Sequence, residues 1–199
     1  MTPPRPLRAD AARNRQLLLA AAADEFAERG PEASVADIAR RAGVGKGTVF
    51  RHFPTKDDLI AAIVLDRIST LTVAGRELLT AADPGAALLE FLTVAARQRD
   101  QLDLSFLQQA GGLGAEITQA QGTMFRIVHA LVDRAREHGA VRADITGMDI
   151  VVLMCAPIDV VSQLPDAPPD LWQRYLAIIF DGLRPAGAHP LPHPPPPLP

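Results

Sequence analysis

The sequence predicts an all-α protein of nine helices, a small N-terminal head followed by a larger helical body. Three observations carry this expectation. Ala and Leu dominate a chain that is 48% hydrophobic but only 5% aromatic, which favours helix over sheet. Apolar residues recur at spacings of three and four in segment after segment, with no convincing alternating run. Glycines, prolines and Ser/Thr-x-x-Asp steps fall between those segments, where helices stop and start. With 199 residues the chain has ample length for a substantial core.

Taken in order, Met1 to Ala9 is Pro/Arg-rich and reads as a loose arm. A first helix is expected from Asp10 to Arg29, with Leu18, Ala22 and Phe26 as its stripe and Gly30 closing it. Arg13, Arg15 and the run Leu17 to Ala23 imitate a signal peptide. Asp24 and Glu25 follow at once, however, and an amphipathic helix explains the same letters.

The segment from Ser34 to Asp58 is the most informative. Ser34 is a good N-cap with Asp37 three residues on, and Val35, Ile38, Ala39 and Ala42 make one apolar face. Gly43 suits a left-handed helix end, with Val44 as the apolar plug of the turn. In the next helix Val49 and Phe53 point one way, and Lys46, Gly47, Phe50 and Arg51 the other. Pro54 stops it, and Thr55 caps a long helix running towards Thr80. Two short helices with a glycine turn, the second exposing cationic and aromatic positions, form a helix-turn-helix.

Further helices are expected after Asp83-Pro84 (Leu88, Leu89, Leu92, Ala96), over Leu102 to Ala110, and from Ala115 to His138, closed by Gly139. Thr146 with Asp149 opens an apolar helix, residues 150–164, and the last helix covers residues 170–183. Residues 185–199 are proline-rich and read as disordered or polyproline-like.

Charge supports a head and a body. The net charge is −3, but residues 1–56 carry ten Lys/Arg against six Asp/Glu, and the rest ten against seventeen. A basic end on an acidic body suits nucleic-acid binding by one end. A single cysteine excludes an intramolecular disulfide and fits a reducing, cytoplasmic setting. The apolar run Ile150 to Ile158 is far short of a membrane span, so no membrane partner is expected.

At these residues the chain resembles a known family. GVGKGTVFRHFPTKDDL, with RQLLLAAAADEFAERG upstream, is similar to the DNA-binding segment of the tetracycline-repressor (TetR) family, over about residues 11–71. The resemblance implies three helices in a DNA-binding head (11–71, motif 34–53), six in a ligand-binding and dimerisation body (72–184), and a double-stranded operator as partner. Lys46, Gly47, Phe50 and Arg51 are the base-contact candidates: Lys and Arg donate to guanine, glycine permits close approach, and Phe packs on a thymine methyl. Thr48, His52 and Lys56 sit where the family places phosphate contacts. Phe50 replaces the Tyr of many relatives and so lacks a hydroxyl contact. Ala36 cannot donate where some relatives have a base-reading side chain. Arg40 and Arg41 read as solvated surface, Arg41 above all.

No catalytic set, cofactor or metal site is expected. There is no His-Glu-x-x-His, no paired cysteines and no nucleophile elbow, and Gly111-Gly112-Leu113-Gly114 lacks a preceding strand. The expected function is a repressor released from an inverted-repeat operator by an unknown small-molecule effector. The alternative is an all-helical enzyme or carrier with an idle helix-turn-helix. A homodimer is expected through helices 150–164 and 170–183, the latter presenting Leu171, Trp172, Tyr175, Ile178 and Ile179. Phe91, Phe106, Met124, Phe125 and Met154 are candidate pocket walls, with Gln108, Gln109 or His129 as polar anchors for an apolar or weakly polar effector. Any one of them is at least as well explained as core.

Overall fold

A computed structural model describes residues 6–101, 114–153, 168, 170–186 and 188–195. The chain divides into two compact units, one of Met1–Asp66 with Gln101–Ile117, the other of Arg67–Asp100 with Thr118–Pro199. Among the described residues every regular element is helical. The helices expected at Leu102 to Ala110 and over most of 150–164 lie outside the described residues.

The first unit contains α1 (Pro6–Arg29), a 3-10 turn (Gly30–Glu32), α2 (Val35–Arg41), α3 (Lys46–His52) and the opening of α4 (Lys56–Leu78). Helix α1 starts at Pro6, not at Asp10, so Pro6 to Ala9 are helical where a loose arm is expected. Proline is suited to a first helical turn, where its fixed φ is already helical and its missing N–H would have no partner. Leu18, Ala22 and Phe26 of α1 pack with Ile38, Ala39, Val49, Phe53 and Leu59 in one buried cluster. Burial of so many side chains in a few short helices supplies stability that α2 and α3, seven residues each, could not generate alone.

Helix α4 begins at a reciprocal cap. The Thr55 hydroxyl accepts from the Asp58 N–H at 3.0 Å, and the Asp58 carboxylate accepts from the Thr55 N–H at 3.0 Å. Replacing Thr55 by Ala is expected to cost about 0.5–2 kcal/mol in denaturant unfolding, with Thr55→Ser close to wild type. Equal stability of the Ala and Ser variants would show that the cap is idle.

The second unit holds the rest of α4, most of α5 (Pro84–Gln101) and of α6 (Ala115–Glu137), a helical stretch at 147–153, and α7 (Leu171–Gly182). Its core joins Leu88, Phe91 and Leu92 of α5 to Val128, Leu131 and Val132 of α6 and to Trp172, Leu176 and Phe180 of α7. Asp83 caps α5 by accepting from Gly85 and Ala86, and Thr146 with Asp149 caps the helical stretch after it. Gly75 has no room for a side chain: a Cβ there would lie 2.5 Å from Ile127 Cγ2 and 3.1 Å from the Phe91 ring. The α4 backbone therefore runs close against α5 and α6.

Arg142 meets the proline-rich segment that the sequence reading expects to be disordered or polyproline-like. Its guanidinium pairs with Asp144 at 2.5 Å and donates to the His189 carbonyl, while its backbone N–H donates to the Leu183 carbonyl at 2.7 Å.

Candidate nucleic-acid interface

The turn between α2 and α3 is built by local rules. The Ser34 hydroxyl accepts from the Asp37 N–H at 3.2 Å and donates to the Asp37 carboxylate at 2.6 Å, so aspartate returns the bond to the hydroxyl. At the other end Gly43 has φ +68°, its N–H donating to Arg40 and that of Val44 to Ala39. This pair of bonds is the Schellman pattern, and Val44 plugs it by packing on the head core. Gly45 then opens α3 and Phe53 closes it, with Pro54 next.

These ends decide which side of α3 faces water. Val49 and Phe53 are buried, whereas Lys46, Gly47, Phe50 and Arg51 are exposed together on the other side. Phe50 is 47% exposed, its ring standing beside these cationic positions. Open space surrounds Gly45 and Gly47, so a flat partner can approach the backbone there. Thr48 and His52 are half-buried flanking positions. Lys56 is half-buried too, its ammonium 5.5 Å from the Phe26 ring centre.

Three of the head's cations are neutralised within it. Arg29, Arg40 and Arg41 are consumed by carboxylates: Arg29 lies 3.3 Å from both Glu25 and Asp37, Arg40 is 2.6 Å from Asp37, and Arg41 is 3.1 Å from Glu25 and 2.5 Å from Glu28. Among the described residues Lys46 and Arg51 have no ion-pair partner, so positive charge is left on the outward side of α3. Arg41 is exposed, as the sequence reading expects, but it also makes ion pairs. Its guanidinium ties α2 to α1 by holding Glu25, a carboxylate only 3% exposed. Glu25 Oε2 is buried with no hydrogen bond in addition to its 3.3 Å ion pair with Arg29. Hydrogen bonding by Arg41 holds Glu28 below the usual carboxylate range, and the Ser34 hydroxyl, then Arg40, does the same for Asp37.

In the body, Phe91 is buried in the core, and Met124, Phe125 and His129 are half-buried on α6. His129 packs against Gly147, whose Cβ would fall 2.8 Å from the imidazole. Phe106, Gln108, Gln109 and Met154 lie outside the described residues. Two clefts open elsewhere in this unit, one of about 340 Å³ between Leu89, Thr93 and Arg97 of α5 and Trp172, Leu176 and Phe180 of α7. The other, about 410 Å³, is lined by Ile145, Val152, Leu153, Ile179 and Leu191. The described residues contain no cluster of three or more metal-ligating side chains, and no described helix is long and apolar enough to cross a membrane.

A seven-residue helix presenting unpaired cations and a bare aromatic ring, fixed by a glycine turn to a second short helix, defines a helix-turn-helix DNA-binding protein. Comparison with known proteins is specific. Residues 18–63 match the family described as bacterial regulatory proteins of the tetR family, and residues 83–185 match the SbtR-like transcriptional regulator C-terminal domain. A TetR transcription regulatory protein from Mycobacterium vanbaalenii is 36% identical over 90% of this chain and 99% of that one, with a TM-score of 0.69. A TetR transcriptional regulator from Streptomyces coelicolor is 30% identical over 87% and 99%, with a TM-score of 0.70. An HTH-type transcriptional repressor of Mycobacterium tuberculosis is 59% identical over 54 residues, a match that spans only 27% of this chain and 28% of that relative. The chain belongs to the TetR family of DNA-binding transcriptional regulators. The alternative of a helical enzyme falls with that result, because the relatives are regulators.

Proposed function

We propose that the chain is a cytoplasmic, dimeric repressor that binds an inverted-repeat operator and leaves it when a small molecule occupies the body. The observation that carries the reading is the outward side of α3, where Lys46, Gly47, Phe50 and Arg51 stand exposed and the cations are unneutralised. Residues 11–71 act as the reading head and 72–184 as the ligand and dimer body. Half-sites fall about one helical turn apart, roughly 34–36 Å. Replacing Arg51 or Lys46 by Ala is expected to relax preference at particular base pairs by roughly 1–3 kcal/mol each, whereas Thr48→Ala and Lys56→Ala weaken binding evenly across sequences. Gel shift on DNA from the chain's own upstream region, followed by a base-by-base competition series, tests this. Unchanged affinity and preference in all four variants would refute the docking.

The dimer reading is supported by apolar side chains left in water. Val152 and Leu153 are 54% and 37% exposed, and Tyr175 and Ile178 of α7 are 37% and 54% exposed. Trp172, by contrast, is used in the body's own core. Ile178→Asp costs little within one subunit because the position is open, so it is expected to give a folded monomer in light scattering at micromolar concentration. A monomeric wild type would refute the dimer. For the effector, the half-buried Met124, Phe125 and His129, with Phe106, Gln108, Gln109 and Met154, suit a small apolar or weakly polar ligand. A ligand releases DNA only by favouring the DNA-incompetent arrangement.

A further inference from the structure

Helix α4 is one unbroken helix, Lys56–Leu78, whose first residues belong to the first unit and whose residues from Arg67 onward belong to the second. Within the second unit it is pinned at both ends through helix C-termini, where the last carbonyls have no partner in their own helix. At the near end, Arg67 Nη1 donates to the Gln98 carbonyl, one of the last four of α5, at 2.5 Å. At the far end, Arg134 of α6 reaches back to the C-terminus of α4 itself. Its Nη1 lies 3.4 Å from the Leu78 carbonyl, and its Nη2 lies 3.0 Å from the Ala81 carbonyl just beyond. A guanidinium is suited to both places because its charge opposes the negative end of the helix, and at Arg134 its planar fork spans two carbonyls. Between the two clamps Gly75 brings the α4 backbone against Ile127 and Phe91. Residues 67–78 therefore cannot tilt or slide without breaking charge-assisted bonds that are partly shielded from water.

We propose that Arg67 and Arg134 are positioning residues that fix the direction in which α4 leaves the body, and through it the operator spacing that a dimer accepts. This rests on the reading of the chain as a dimer on an inverted repeat. Neither arginine touches DNA in this account. They act by making the arrangement stiff, so a misspaced operator must itself bend or twist to be bound.

The test uses the full chain and DNA recovered by in vitro selection with wild-type protein. Affinities are measured on a panel of that sequence with the spacer lengthened or shortened by one and two base pairs. Wild type is expected to lose about tenfold or more per misplaced base pair, while Arg134→Ala and Arg67→Ala flatten that preference to a few-fold. Arg67→Lys and Arg134→Lys keep the charge and one donor, and should lie between. If an Ala variant does not fold, the Lys variants decide by the same panel. Loss of affinity that is equal at every spacing would mark a purely structural role and overturn the proposal, as would an unchanged preference. A wild type that selects no inverted repeat would overturn the parent reading itself, a result visible before any variant is made.

Discussion

Replacing Arg41 by Met is expected to destabilise the head. Arg41 is the closer of the two cations on Glu25, and the carboxylate it holds is 3% exposed. A carboxylate at that depth depends on its cationic partners, and removing the closer one leaves it less well compensated. Arg29 remains 3.3 Å away and keeps part of the pairing. Thermal unfolding should therefore move down by a few degrees. Adding Glu25→Leu should recover most of the loss, because an apolar side chain suits a site beside Ala22 and Phe26. A single variant that melts with wild type would show that the pair contributes nothing.

Gly75→Ala is expected to show the reverse of its usual sign. Inside a helix Ala normally stabilises relative to Gly by about 0.5–1 kcal/mol. Here the new methyl would sit 2.5 Å from Ile127 Cγ2, closer than any real contact, and 3.1 Å from the Phe91 ring. Either α4 or α6 must shift, at a cost of about 1–3 kcal/mol typical of overpacked cores. The double variant Gly75→Ala with Ile127→Ala should cost less than the two single changes added, since the second makes room for the first. Simple additivity in urea unfolding would place the clash elsewhere. The same exchange tests whether α4 must lie close to α5 and α6 for the head to bind DNA.

The contrast between these two sites and the helix-turn-helix shows what the letters alone convey. Ser34, Gly43, Pro54 and Thr55 act on backbone within a few residues of themselves, so the motif is legible from the sequence in sequence order. Val49 and Phe53 against Lys46, Phe50 and Arg51 follow from helical spacing, which needs no partner to be known. Glu25 was half legible. It falls three residues after Ala22 and seven after Leu18, inside the apolar arc of α1, and a charge in such an arc must be paired. Which cation pairs with it depends on how α2 crosses α1, and spacing carries no information on that. Gly75, Arg67 and Arg134 were missed for the same reason, because each matters only through a helix distant in sequence. The tail contact at Arg142 is likewise a meeting of residues 47 apart, invisible to composition.

The neutralised arginines of the head bear on how such a protein finds its target among unrelated DNA. Non-specific affinity grows with every cation that displaces a condensed counterion from the phosphate chain. With Arg29, Arg40 and Arg41 bound to carboxylates, the outward side of α3 offers Lys46 and Arg51. A dimer gripping phosphates through those four cations would show a log–log dependence of affinity on salt with a slope of about −4. A protein of this kind is held weakly by the bulk chromosome, so few copies are sequestered away from the operator and search times stay short. A slope nearer −10 would mean that further cations, such as the exposed Arg13 and Arg15 of α1, grip the backbone as well.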